Sequence, residues 1–94
     1  MSHTVRDKKK LLNRVRRISG QIAGIERLLN QEEDENCFLI LQTIAACRGA
    51  MNGLMAEVME GHIREHVIAP DHAPSPAQIE AANELIEVVK TYLK

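Results

Sequence analysis

From about residue 36 to about residue 67 the chain runs without a proline, and Leu41, Ile44, Met51, Leu54 and Val58 recur along it at helical spacing. A helix of that span is about 48 Å long. A compact globule built from 94 residues is only about 30 Å across. A rod longer than its own globule cannot be covered by its own chain. Its apolar side therefore calls for a second copy, most simply an antiparallel two-fold partner, and folding of a lone chain is not expected.

Two further segments read as helices and none alternates as a strand would. Leu11, Val15, Ile18, Ile22, Ile25 and Leu29 form one stripe at steps of four and three, and Thr4 with Asp7 approximates a capping box, which predicts a helix over about 5–30. The acidic stretch 31–35 reads as a solvated loop, with Asp34 or Asn36 as cap of the next helix. Gly49, Gly53 and Gly61 weaken that helix locally and mark candidate points of close helix contact. Pro70, Pro74 and Pro76 break the chain, and Ser75-Pro76-Ala77-Gln78 then has Ser at N-cap, Pro at N1 and Gln at N3. Ile79, Ala82, Ile86, Val89 and Leu93 line the third helix. The expected fold is all-α: one domain over 1–94, with helices at about 5–30, 36–67 and 76–93.

With one Phe, one Tyr and no Trp in a chain that is 45% apolar, the core is left to Leu, Ile, Val, Met and Ala. No run approaches eighteen apolar residues, which reads against a membrane span. The opening Met1-Ser2-His3-Thr4-Val5-Arg6 leads into charge, which reads against a signal peptide. Two cysteines, Cys37 and Cys47, suit a reducing cytosol, so a cytoplasmic protein is expected. Phosphate-loop, dinucleotide, CxxC and Ser/His/Asp patterns are all missing, and an enzyme reading has no support.

Charge is segregated. Residues 1–27 carry eight bases and two acids, +6, whereas 28–94 carry four bases and eleven acids, −7. Lys10, Arg14, Arg17 and Gln21 recur at four, three and four on the first helix, with Arg16 beside them, and no acid interleaves within the stripe apart from Asp7 at its start. A solvated basic face is the bland reading. A phosphate-binding face for nucleic acid is the sharper one, without the short helix–turn–helix of an inserted reader.

His62 and His66 lie four apart on the second helix, so both rings project from one face. Cys37 begins that helix, about 37 Å away. The three cannot share an ion within one chain, but an antiparallel pair brings the Cys37 of one copy to the His62 and His66 of the other. His3 adds a fourth donor on the N-terminal tail. One sulfur with several nitrogens suits Ni(II) or Co(II) over Cu(I), with Zn(II) as competitor. Glu65 is placed as a neighbour of the ligands, Cys47 as a small buried hydrophobe, and His72 is given no role.

The run Arg14-Val15-Arg16-Arg17-Ile18-Ser19-Gly20-Gln21, the lone Cys37, Ile44-Ala45-Ala46-Cys47-Arg48-Gly49-Ala50, Asn52-Gly53-Leu54-Met55 and His62-Ile63-Arg64-Glu65-His66 resemble the CsoR/RcnR/FrmR family of small helical bacterial repressors. The resemblance covers nearly the whole chain. It implies a disc-shaped homotetramer, a dimer of antiparallel dimers, that binds operator DNA without effector and releases it on binding one. It also implies ligands drawn from two protomers. Copper sensors of the family carry Cys–His–Cys, and His66 stands where the third ligand is Cys. His3, Cys37, His62 and His66 match the nickel/cobalt-sensing pattern. Formaldehyde-responsive members use a proline after the initiator Met, where this chain has Ser2, although the Arg14–Ile18 run is similar to theirs. The expected function is a Ni(II)/Co(II)-released repressor of an efflux gene. A formaldehyde-responsive repressor with Cys37 as nucleophile, a Zn(II)-responsive member, and a metal-buffering helical module without a DNA role are the alternatives.

Overall fold

The computed structural model describes residues 5, 7–31, 34–68 and 71–93. Three helices account for most of them: α1 (Lys8–Asn30), α2 (Cys37–His62) and α3 (Pro76–Tyr92). A short 3-10 turn, Asp34–Asn36, precedes α2, and a π-helical turn, Ile63–Val67, continues it. Among the described residues there is no strand, and the all-α, three-helix expectation holds.

α1 and α2 form an antiparallel hairpin. Lys10, near the start of α1, meets Glu57 near the end of α2, while Asn36 Nδ2 donates to Gln31 Oε1 at 2.7 Å across the connecting turn. Asn36 makes no side-chain cap bond to α2, because its backbone is already helical (φ −82°, ψ −8°) at the end of the 3-10 turn. Asp7 likewise occupies the N-cap of α1 without a capping hydrogen bond, and Thr4 lies outside the described residues. The third start behaves as its sequence predicts. Ser75 Oγ accepts from Gln78 N at 3.2 Å, Gln78 Oε1 accepts from Ser75 N at 2.8 Å, and Pro76 opens the helix.

α3 folds back on the end of α2. Arg64 donates to Asn83 Oδ1 at 2.8 Å, and Lys90 pairs with Glu60 at 3.4 Å. Ile63, Ala82 and Ile86 are buried between them, with Ile68 and Val89 packed against the cluster. Truncation there leaves a cavity, at a cost of about 2–5 kcal/mol for Ile→Ala. Ile86→Ala is expected to lower the unfolding midpoint by about 10 °C or more, read by circular dichroism.

Elsewhere the chain hardly buries anything. The only other buried apolar side chain among the described residues is Ile18. The molecule measures 58 × 25 × 13 Å with a radius of gyration of 17.8 Å, against about 12 Å for a compact chain of this length. The α2 side expected to be buried is open within one chain: Leu41 is 60% and Met51 51% exposed, and Ile44 is exposed as well. Val15, Ile22 and Leu29 on α1 and Ile79 on α3 are exposed too. Cys47 is half-buried rather than buried. The periodicity marked these residues correctly as apolar faces. What it leaves open is whose surface covers them.

The continuous helix Cys37–Val67 contains an 18-residue stretch of mean hydropathy 1.2, so by length and composition alone it could cross a membrane. Counting uninterrupted runs misses this, because polar residues such as Gln42, Arg48 and Asn52 break the runs while the 18-residue average stays apolar.

Candidate metal centre and nucleic-acid face

His62 is the last residue of regular α2 and His66 lies in the π turn that follows. Ile68 N donates to Ile63 O at 3.0 Å, the i→i+5 bond that defines such a turn. The sequence predicts unbroken α-helix to 67 and carries no signal for this widening apart from the nearby Gly61. Both imidazoles are exposed, with ring centroids 5.4 Å apart and planes tilted by 42°. Two imidazoles on one ion, each nitrogen about 2.1 Å from it, put their ring centres about 4.5–5.2 Å apart. The pair is thus within a small side-chain adjustment of a shared ion. Glu65 is half-buried in the same turn.

Cys37 is a free, exposed thiol at the opposite end of α2. Cys37 and His62 are 25 positions apart, which is about 37 Å on a straight helix. Accordingly, no cluster of three or more metal-binding side chains exists among the described residues of one chain. Two soft donors stand at one end and one at the other, which fits a site completed by a second copy and does not fit a site within one. His3 lies outside the described residues. His72 is exposed in the loop before α3.

The basic stripe on α1 divides in two. Arg16 and Arg17 are exposed, and neither has an ion pair among the described residues. Lys10 and Arg14 instead share one acid on α2: Lys10 Nζ lies 2.6 Å from Glu57 Oε1, and Arg14 Nε lies 2.7 Å from Glu57 Oε2. Scanning the first helix for neutralising acids at i±4 could not find this partner, which comes from another element. Gly53 makes room for it, since a Cβ there would stand 3.0 Å from Arg14 Nη1. The hydrogen bond to Glu57, and then its charge, raise the pKa of Lys10 above its usual value. Gln21, also on the stripe, is half-buried, and its Oε1 is buried without a hydrogen-bond partner among the described residues.

A helical rod with imidazoles at one end, a thiol at the other and a basic first helix alongside defines a class, and the comparison with known proteins gives the same class. Residues 7–91 match the family described as metal-sensitive transcriptional repressor, and the chain belongs to that family. Its members are repressors and not enzymes. Among relatives, the chain is 43% identical over 95 residues to the transcriptional repressor RcnR of Salmonella paratyphi B (strain ATCC BAA-1250 / SPB7), with all of both chains covered. It is 52% identical over 94 residues, again across both full lengths, to an uncharacterized protein in the bioA 5′ region of Serratia marcescens. The chain is thus a metal-responsive, DNA-binding repressor of the CsoR/RcnR kind.

Proposed function

We propose that this repressor is a Ni(II)/Co(II) sensor that leaves its operator when metal binds, and so derepresses an efflux gene in the cytoplasm. The observation that carries the reading is the split donor set: His62 and His66 paired at one end of an uncovered helix, and Cys37 free at the other. An antiparallel second copy brings its Cys37 to this pair, twice by symmetry. Two such dimers make the homotetramer, with 1–94 as its single domain. Lys10 meets Glu57 at the histidine end of α2. His3 completes the proposed donor set. The uncovered face of α2 is read as a protein-facing surface and not a lipid-facing one, because Glu57 and Glu60 on α2 are engaged by bases of α1 and α3.

Lys10, Arg14, Arg16, Arg17 and Gln21 hold the duplex, mainly through phosphate. The metal, bound across two chains, favours an assembly whose basic faces no longer match the DNA. This is a negative coupling free energy of about 1–3 kcal/mol between the two sites. A base that contacts phosphate contributes to affinity without regard to sequence and lowers the salt slope by about 0.9 when removed. Arg17→Ala is expected to weaken operator and non-operator duplexes alike, with a shallower plot of log K against log salt. Loss confined to the operator would place Arg17 on base edges instead.

The deciding experiment titrates Ni(II), Co(II), Zn(II), Cu(I) and formaldehyde into the protein bound to a duplex of its own promoter region, followed by fluorescence anisotropy. Release by nickel or cobalt at lower concentration than by the others is expected. Release by formaldehyde alone, with the mass increase of a methylene bridge, would support the second reading, which the exposed free thiol of Cys37 favours. Failure to bind the promoter at moderate salt would leave a metal-buffering module.

A further inference from the structure

Glu57 is an acid that the sensor reading leaves unused. Its side chain is 17% accessible, and its two oxygens face two different bases, Lys10 at 2.6 Å and Arg14 at 2.7 Å. The neighbouring acid, Glu60, is engaged elsewhere, 3.4 Å from Lys90 and 3.9 Å from Arg64. Lys10, Arg14 and Glu57 therefore form one set along the α1–α2 crossing, with the charge of Asp7 adding more weakly at Lys10. One carboxylate meeting two cations is also the pattern that two non-bridging oxygens of a DNA phosphate make.

We propose, resting on the repressor reading, that Glu57 is a latch on the DNA-binding face. It is an internal stand-in for phosphate that holds Lys10 and Arg14 until a duplex displaces it, and so sets the affinity of the metal-free repressor. Exchange carries a specific penalty. The displaced carboxylate is mostly shielded from water, loses both partners, and is left beside phosphates of its own sign. Arg16 and Arg17 reach the duplex without that penalty. The latch is also reversible by construction. The side chain of Lys10 remains 67% exposed to an approaching polyanion. Arg14 Nε lies close to Oε2 without an aligned hydrogen bond, so that contact is Coulombic and not directional. Gly53 keeps open the space through which Arg14 reaches across.

The test uses the full chain and Glu57→Gln, which keeps shape and removes charge. Metal-free binding to the promoter duplex is expected to tighten about 3- to 10-fold, the sum of two partly exposed ion pairs. Without DNA, an amine-reactive acetylating ester should modify Lys10 faster in the variant, read by mass spectrometry. Unchanged affinity, in a variant with wild-type helicity and oligomeric state, overturns the latch. Weaker affinity overturns it as well, and makes Glu57 a positioning residue that orients the two bases. Should Glu57→Gln fail to fold, Glu57→Asp retracts the same charge by one methylene, and Lys10 labelling unchanged from wild type overturns the proposal. These outcomes differ from a wild-type chain that binds no promoter duplex, which would sink the repressor reading itself.

Discussion

Cys37→Ala is expected to retain wild-type affinity for promoter DNA in the absence of metal and to be no longer released by nickel or cobalt. The thiol is exposed within the chain and packs into none of its buried clusters, so its loss leaves the fold and the basic face of α1 intact. As a ligand it is irreplaceable. Cys47 lies ten residues further along α2, about 15 Å away, and no other cysteine exists in the chain. Without sulfur, the histidine pair keeps at most a weak, one-sided hold on the ion, and the bridge between two protomers is gone. A coupling of about 1–3 kcal/mol corresponds to a 5- to 150-fold loss of DNA affinity on metal binding. In the variant that ratio should fall to about one. Anisotropy titrations of the variant on promoter duplex, with and without nickel, decide it. A Cys37→Ala protein that nickel or cobalt still releases normally means that the ion is held elsewhere.

The second large effect is expected far from any metal donor. Ile44→Glu places a carboxylate on a side chain that is 46% exposed in the single chain, where a surface substitution would ordinarily cost little. If that face is covered by a second copy, the change removes about 1.5–3 kcal/mol of apolar burial and strands an unpaired charge in the interface, at several kcal/mol more. Small domains have only about 5–15 kcal/mol of stability in all, and this chain has few buried residues of its own to fall back on. Loss of helical circular dichroism and of the oligomer in sedimentation is therefore expected. The wild-type unfolding midpoint should meanwhile rise with protein concentration, as for any protein stabilised by association. A well-folded monomeric Ile44→Glu protein would show that the rod stands without a partner. A groove of about 330 Å³ on the same helix, lined by Met51, Leu54, Met55, Val58 and Met59 among others, offers a second place to repeat the test.

How much was legible beforehand depended on how local the cause was. The start of α3 was readable to the residue, because Ser75, Pro76 and Gln78 satisfy one another within four positions. The caps of α1 and α2 were not, because Asp7 and Asn36 lack the extended backbone that lets a side-chain oxygen reach the first helical amides. The apolar stripes were read correctly as faces that one chain leaves largely uncovered, since periodicity reports where a helix wants cover and not which molecule provides it. The His62–His66 spacing was legible as one helix face, and the structure sets the two rings with centroids 5.4 Å apart. The π turn that holds His66 was not, because a single widened turn leaves no compositional mark.

By itself the sequence determined three helices, the thiol and imidazoles at opposite ends of the longest one, and the basic character of the first. Each follows from spacing along a single element, where 1.5 Å per residue and 3.6 residues per turn convert order into distance and direction. Only the tertiary structure decided which basic residues stand open. Lys10 and Arg14 look equivalent to Arg16 and Arg17 along the chain, but the crossing of α1 over Gly53 brings the first two against Glu57. Coulomb's law acts through space. Neutralisation is therefore a property of the packed hairpin and was never written in the order of residues along α1.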